Sequence, residues 1–272
     1  MIPTLSQVCS LTSRFDADIE DYAAGKCQRV EIWLTKLEDY LQRHSVKDVK
    51  DWLAKFGVSA PVASIQGGIL ASQGERRKEA WDLFLRRLEI CHAIGTRTIV
   101  IACDVPQPLS QETIERVQVS LVQAAQECGK RGLRAALEFQ ATSAFGNNLQ
   151  TAAALIAEAG SPHLGICLDA FHFFTGPSKT EDLGFLTTSN LFHVQLCDLL
   201  DTPRELAADS ARILPGDGDF PLQPLIDHLR TMNYSGCVSL ELLNPQLWQV
   251  PPRQLGEIGM TALRKILNQA AM

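Results

Sequence analysis

Short apolar segments alternate with longer amphipathic segments along most of this 272-residue chain. The short segments are rich in β-branched and small apolar residues, which is typical of buried strands. Eight strands are predicted: Leu5–Leu11, Val30–Leu34, Val62–Gln66, Thr98–Asp104, Arg134–Phe139, Gly165–Asp169, Phe192–Asp198 and Cys237–Leu242. The clearest helices, where apolar residues recur at helical spacing, are predicted over Glu75–Ile94, Gln111–Arg131, Asn148–Ala159 and Leu222–Met232.

Repeated strand-then-helix units predict a parallel sheet with right-handed crossovers. Eight such units in about 250 residues have the count and the size of a TIM barrel, the (β/α)8 fold. We therefore expect an α/β protein with a single barrel domain over residues 1–272. An open doubly wound sheet is the alternative, but the Gly-rich phosphate turn typical of that fold does not follow the first strand.

Charge and composition restrict the classes of molecule that this protein is expected to bind. The net charge of −6 disfavours nucleic acid and anionic membrane surfaces, since both require a concentrated Lys and Arg surface. No apolar run reaches the length of about 18 residues that a membrane-spanning helix needs. The eight cysteines show no C-x-x-C spacing, and most are predicted to fill buried strands as free thiols. We expect a cytoplasmic protein with a small-molecule substrate, and a homo-oligomer is compatible with these features.

Polar residues interrupt the apolar run in the carboxyl-terminal half of four consecutive predicted strands: Glu138, Asp169, Gln195 and Glu241. Because side chains alternate along a strand, all four fit the barrel-facing side near the catalytic end. Three carboxylates in one low-dielectric mouth repel each other, and a divalent cation removes that conflict. Oxygen ligands suit Mg²⁺, Mn²⁺ or Co²⁺, with Zn²⁺ also open. We interpret the four residues as a metal site, against the alternative of separate hydrogen-bonded strand ends.

Two further side chains follow these strands. His172 is expected in the loop after Asp169, where it would bind substrate; the alternative is a loop histidine packed against Phe171 and Phe173. Arg212 lies in the long segment after the seventh strand, just before a rigid Pro-Gly turn. Its fixed guanidinium would bind substrate oxygens, and the alternative is an ordinary surface arginine.

Five motifs stand out along the chain: Ala-Leu-Glu138, Leu-Asp169-Ala-Phe-His172, His193-Val-Gln195-Leu-Cys-Asp198, Arg212-Ile-Leu-Pro-Gly-Asp-Gly-Asp, and Val-Ser-Leu-Glu241 through Trp248. In their order and spacing they resemble the xylose isomerase-like TIM-barrel superfamily of sugar phosphate isomerases and epimerases. Many members carry His where this chain has Gln195; Gln there resembles the hydroxypyruvate isomerase and dehydroshikimate dehydratase branches. The segment after the eighth strand is instead similar to inosose isomerases.

The resemblance implies an enzyme of carbohydrate metabolism that isomerises or epimerises a keto sugar or keto-cyclitol through an enediolate. It implies one divalent metal ion bound by Glu138, Asp169, Gln195 and Glu241, with Glu138 and Glu241 acting as acid and base. The residues expected to contact substrate are His172, Arg212, Glu31, Trp33 and Trp248.

Three other functions remain as alternatives. A metal-dependent lyase of the 3-dehydroshikimate dehydratase type would share the first proton abstraction and then expel a hydroxyl group. An endonuclease IV-like repair enzyme needs a His-rich site for three metals, but the predicted third and fourth strands end in Ser64-Ile65-Gln66 and Ala102-Cys103-Asp104, without His. A non-catalytic barrel would bind no metal.

Overall fold

A computed structural model describes residues 1–269 of the chain. Eight parallel strands form one closed barrel in chain order, which confirms the predicted TIM barrel. The strands are β1 (Ile2–Ser6), β2 (Arg29–Trp33), β3 (Ser59–Gln66), β4 (Thr98–Cys103), β5 (Arg134–Phe139), β6 (Leu164–Asp169), β7 (Leu191–Leu196) and β8 (Cys237–Leu240).

Helices separate the strands along the chain. All four helices predicted from periodicity are present, each within one residue of its expected bounds. The α-helices of the described residues are α1 (Phe15–Ala24), α2 (Leu34–Leu41), α3 (Val46–Lys55), α4 (Gly74–Ile94), α5 (Gln111–Lys130), α6 (Leu149–Ala159), α7 (Ala170–Thr175), α8 (Leu222–Thr231) and α9 (Pro252–Ile266).

The chain divides into two compact units. One unit comprises residues 1–61 and the chain from Val194 onward; the other comprises Val62–His193. Within the first unit, β1 pairs with β2 and β8, and β7 pairs with β8. Within the second, β3 pairs with β4, β4 with β5, and β5 with β6. The assignment of residues 1–272 to a single domain stays a prediction.

Local signals explain why the helices begin and end where they do. The Ser110 side chain accepts a hydrogen bond from the Thr113 N–H at the start of α5, and Asn148 does the same for Thr151 at the start of α6. Helix α6 stops at Gly160, whose φ of 57° lies in the left-handed region that glycine adopts without strain. These caps fix the start of α5 and both ends of α6.

The first strand differs from its prediction. The expected strand was Leu5–Leu11, whereas β1 is Ile2–Ser6 and Gln7–Ser10 form a 3-10 helix. The Ser6 hydroxyl accepts a bond from the Val8 N–H at 3.5 Å, which caps that turn. The apolar run continues through both elements and all four residues of the turn are buried, so hydrophobic pattern does not mark the boundary.

The cysteines and the helices of residues 1–269 bear on two expectations from the sequence, buried thiols and the lack of a membrane-spanning helix. All eight cysteines lie within the described residues, where each is a buried thiol outside any disulfide. Burial raises the pKa of the Cys103 and Cys128 thiols to about 12 in each case. Within residues 1–269, no helix combines the length and the apolar character that crossing a membrane requires.

Candidate functional site

Glu138 lies near the carboxyl end of β5 and is buried, with 2% of its surface exposed. In the pairing of β5 with β6 it lies opposite Cys167, two residues before Asp169. Because side chains alternate, Glu138 and Asp169 share one side of the sheet at its carboxyl end. The Gln140 side-chain amide donates a hydrogen bond to Glu138 Oε1 at 2.8 Å, which orients the carboxylate.

Asp169 has two tasks because it is both the last residue of β6 and the cap of α7. Its Oδ1 accepts a hydrogen bond from the Phe171 N–H at 3.0 Å, which starts the helix. Its Oδ2 lies 3.6 Å from Nε2 of His172. The strand end and the helix cap together fix this buried carboxylate in one orientation.

His172 lies on helix α7 and not in a loop, which corrects the expectation from sequence. The helix brings residue i+3 back toward the Asp169 cap, and His172 Nε2 is 3.3 Å from Glu138 Oε1. His172 Nδ1 accepts a hydrogen bond from the Ala141 N–H at 3.4 Å. The proton of the neutral ring therefore lies on Nε2, where it is donated toward the carboxylates.

Glu138, Asp169 and His172 form a buried cluster that can hold a metal ion. One ligand atom from each residue lies within 4.8 Å of the others. Two carboxylates and an imidazole are a donor set that suits Zn²⁺, Mn²⁺ and related divalent ions. The residues therefore fit the class of cofactor that the sequence predicts.

Gln195 and Glu241 belong to the first unit, where they join a second buried network. The Gln195 Nε2 amide donates to Glu241 Oε1 at 2.9 Å and to Glu31 Oε1 at 2.9 Å. Gln195 pairs with Ser239 of β8, and Glu241 follows that strand, so the two side chains lie on adjacent strand ends. One amide group thus links two carboxylates that lie far apart in sequence.

Arg212 is buried, with 1% of its surface exposed, and so is not an ordinary surface arginine. Its Nη1 donates to Glu241 Oε2 at 3.1 Å. On its other edge, Nε and Nη2 contact Asp209 Oδ1 at 3.0 and 2.7 Å. The Arg212 carbonyl accepts a bond from the Asn244 amide at 2.9 Å. The guanidinium therefore fixes Glu241 and offsets its negative charge.

Asp198 organises the loop that carries Arg212, a role that sequence reasoning did not assign. Its backbone pairs with Ile213 in both directions at 2.9 Å. A Cβ added at Gly218 would lie 2.5 Å from Asp198 Oδ1, so only glycine allows this close approach. The Asp198 carboxylate also accepts three backbone N–H bonds at 2.9 Å, from Leu199, Gly216 and Phe220.

Trp33 and Trp248, expected to contact substrate, are each half-buried. The Trp33 backbone N–H donates to Gln7 Oε1 at 3.3 Å. The Trp248 indole N–H donates to the Val8 carbonyl at 2.8 Å and to the Leu242 carbonyl at 3.3 Å. Their positions are fixed by the segments after β1 and β8, and their contact with substrate stays a prediction.

A buried ion pair supports the segment after β1, and the sequence reading did not identify it. Lys36 Nζ lies 2.6 Å from Asp18 Oδ2, which also accepts a bond from Gln7 Nε2 at 3.2 Å. Burial raises the pKa of the Asp18 carboxyl, against the opposing effect of Lys36. The available signal was a lone lysine between the apolar residues Leu34 and Leu37 of α2.

The closed barrel of eight parallel strands, each followed by helical segments, defines a TIM-barrel protein. The family model described as xylose isomerase-like TIM barrel matches residues 23–266. The chain belongs to this family, as its motifs indicate.

Curated relatives and solved structures extend the comparison. An inosose isomerase from Halalkalibacterium halodurans is 27% identical over 224 residues, which cover 80% of this chain and 78% of that protein. A 3-dehydroshikimate dehydratase from Pseudomonas putida is 24% identical over 266 residues, 97% of this chain but 41% of that protein.

Among solved structures, the IolI protein with a bound zinc atom superposes with a TM-score of 0.93 at 21% identity, covering both chains fully. A D-psicose 3-epimerase from Clostridium cellulolyticum H10 has a TM-score of 0.79 at 17% identity, covering 99% of this chain and all of that one. At these identities the two structures show the shared fold.

Proposed function

We propose that this protein is a divalent-metal-dependent isomerase or epimerase of a keto-cyclitol or keto sugar. The observation that carries the substrate class is the inosose isomerase relative, which aligns over about four-fifths of both chains. The buried cluster of Glu138, Asp169 and His172 supports the dependence on a metal ion. Substrates with a carbonyl group and a hydroxyl group on the neighbouring carbon suit such a site, because a divalent ion can bind the two oxygens together.

We propose Glu138, Asp169, Gln195 and Glu241 as the ligands of one divalent ion. His172, the third member of the buried cluster, is proposed as a substrate contact, with Nε2 facing Glu138 and Asp169. The ions to test are Mn²⁺, Co²⁺, Mg²⁺ and Zn²⁺, and the zinc atom in the IolI structure makes Zn²⁺ part of that set.

The proposed chemistry is proton transfer at the carbon beside a carbonyl group, through an enediolate. A bound divalent ion would supply Lewis-acid stabilisation of negative charge on substrate oxygens. Of Glu138 and Glu241, one would remove the proton and the other would return it. Both carboxylates are buried and held by donors, Gln140 on the first and Arg212 on the second, which keeps each in a fixed orientation.

The remaining site residues fall into two groups. His172, Trp33 and Trp248 are proposed to contact the substrate, with His172 Nε2 as the donor to a substrate oxygen. Arg212 and Glu31 are proposed to contact the substrate as well, and each also bonds a proposed metal ligand, Glu241 for Arg212 and Gln195 for Glu31.

The test is a panel of keto-inositols, keto sugars, hydroxypyruvate and 3-dehydroshikimate, each incubated with the protein and one of the four metal ions. NMR and mass spectrometry should find a product isomeric with its substrate. The Glu138→Gln variant, folded by circular dichroism, should lose this activity by at least about a hundredfold. Lack of turnover on every keto-inositol and keto sugar would contradict the proposal, as would near-normal turnover in that variant.

A second candidate is a dehydratase acting on 3-dehydroshikimate. It is favoured by the Pseudomonas putida relative, which matches 97% of this chain. The chain spans 41% of that relative's length, so the activity of the whole relative need not reside in the matching part. Loss of water from 3-dehydroshikimate in the same panel would select this candidate over the isomerase.

A further inference from the structure

The Gln195 amide is held from two sides by carboxylates. Its Nε2 lies 2.9 Å from Glu31 Oε1 and 2.9 Å from Glu241 Oε1. A primary amide nitrogen carries two hydrogens, and an ionised carboxylate only accepts hydrogen bonds. The nitrogen of Gln195 must therefore face both carboxylates, and its two hydrogens are both used.

Burial makes this arrangement restrictive. Glu31 and Gln195 are fully buried, and Glu241 is 3% exposed. A flip of the Gln195 amide by 180° would turn its oxygen toward two buried carboxylates, which is strongly unfavourable in a low-dielectric environment. The two glutamates thus select one of the two amide orientations.

We infer that Glu31 is a positioning residue that presents the amide oxygen of Gln195 as a cation ligand. This inference rests on the proposed function, in which Gln195 binds the metal ion. An amide binds a divalent cation through its oxygen, while its N–H groups are donors and do not bind cations. The oxygen and the nitrogen of an amide point away from each other. When the nitrogen faces the two carboxylates, the oxygen therefore points away from them.

Glu31 suits this task better than Glu241. Glu241 is itself a proposed metal ligand, and its Oε2 is bonded to Arg212 at 3.1 Å. Its oxygens would be shared among the metal, the guanidinium and the amide. Glu31 is the acceptor outside the proposed ligand set, so it can keep the amide oriented while Glu241 binds the ion.

The test measures binding of Mn²⁺ alone, by calorimetry and by loss of the free-ion EPR signal, without any substrate. Glu31→Met removes the acceptor and should weaken Mn²⁺ binding by about 10- to 100-fold. Glu31→Gln removes the charge but keeps an acceptor oxygen, so its affinity should stay within about threefold of the wild type. A Glu31→Met affinity equal to that of the wild type, or an equal loss in both variants, would overturn the inference.

A double-mutant cycle tests whether Glu31 acts through Gln195. In a Gln195→Met background, Glu31→Met should cause no further loss of Mn²⁺ affinity, because the group it positions is gone. A further loss as large as in the wild-type background would overturn the inference.

Mn²⁺ binding by the wild type and by Glu31→Met distinguishes a failure of the proposed function from a failure of the role of Glu31. A wild-type protein that binds no divalent ion contradicts the proposed function, whereas a wild type that binds Mn²⁺ with an unchanged Glu31→Met contradicts only the role of Glu31. Should Glu31→Met not fold, NMR of the wild type supplies the test. The Gln195 side-chain N–H₂ protons should exchange with solvent at least about a hundredfold more slowly than those of exposed Gln111. Equal exchange rates would refute the inference.

Discussion

Replacing Arg212 with Met should destabilise the folded protein strongly, because it leaves the Glu241 carboxylate buried without its cation. The two side chains are 1% and 5% exposed, and their charged atoms lie 3.1 Å apart. At an effective dielectric constant of about 20, unit charges at that distance attract each other by about 5 kcal/mol. Removing one partner of a buried pair typically costs about 3–5 kcal/mol, so we expect a loss in that range.

The matched control is Arg230→Met. Arg230 and Asp227 are also 3.1 Å apart, but their side chains are 33% and 57% exposed. Exposed pairs contribute about 0–1 kcal/mol, so distance is held constant while burial changes. Urea unfolding at pH 7, followed by circular dichroism, gives the free energy of unfolding for each variant. If the two variants lose the same free energy within about 1 kcal/mol, burial of the Arg212 pair does not have the effect assigned to it.

Two further predictions concern packing and pH. Gly218→Ala should lower the free energy of unfolding by about 1–3 kcal/mol, because the new Cβ would lie 2.5 Å from Asp198 Oδ1. The control is Gly184→Ala, whose new Cβ would meet nothing within 4 Å and should change the free energy of unfolding by less than about 0.5 kcal/mol. Equal effects in urea unfolding would refute this. The raised thiol pKa values of Cys103 and Cys128, about 12, mean that the folded state retains protons that the unfolded chain loses above about pH 9. Stability should therefore fall as pH rises above 9, by up to about 1.4 kcal/mol per pH unit and thiol, and the slope should be smaller in a double Cys→Ala variant.

The strands that carry the candidate site were predictable because each is a short apolar run with a polar residue at or near its carboxyl end. Strand β5 has its predicted bounds, Arg134–Phe139, and β6 begins one residue before its predicted start and ends at Asp169 as expected. Strand β1 was misplaced because Val8 and Cys9, buried in a 3-10 turn, continue the same apolar run. A pattern of burial locates core residues, but it does not distinguish a strand from a short buried turn.

The sequence identified the candidate site residues more readily than it identified the side chains that they contact. His172 was expected in a loop because the six residues of α7 are too few to show a helical repeat. The burial of Arg212 depends on Glu241, 29 residues away in sequence, and on the loop that Asp198 holds. Such contacts arise from tertiary packing, which local sequence patterns do not report. The metal-binding role of Gln195 and Glu241 therefore stays a prediction.

Proton transfer beside a carbonyl group can be followed directly through exchange of the transferred hydrogen with solvent. The protein would be incubated with Mn²⁺ and a keto-inositol in D₂O, and the recovered substrate and product would be examined by NMR and mass spectrometry. We expect deuterium at the carbon next to the carbonyl, with no loss of water, and no such exchange in Glu138→Gln. A keto-inositol that is turned over without taking up deuterium, or that loses water, would contradict it.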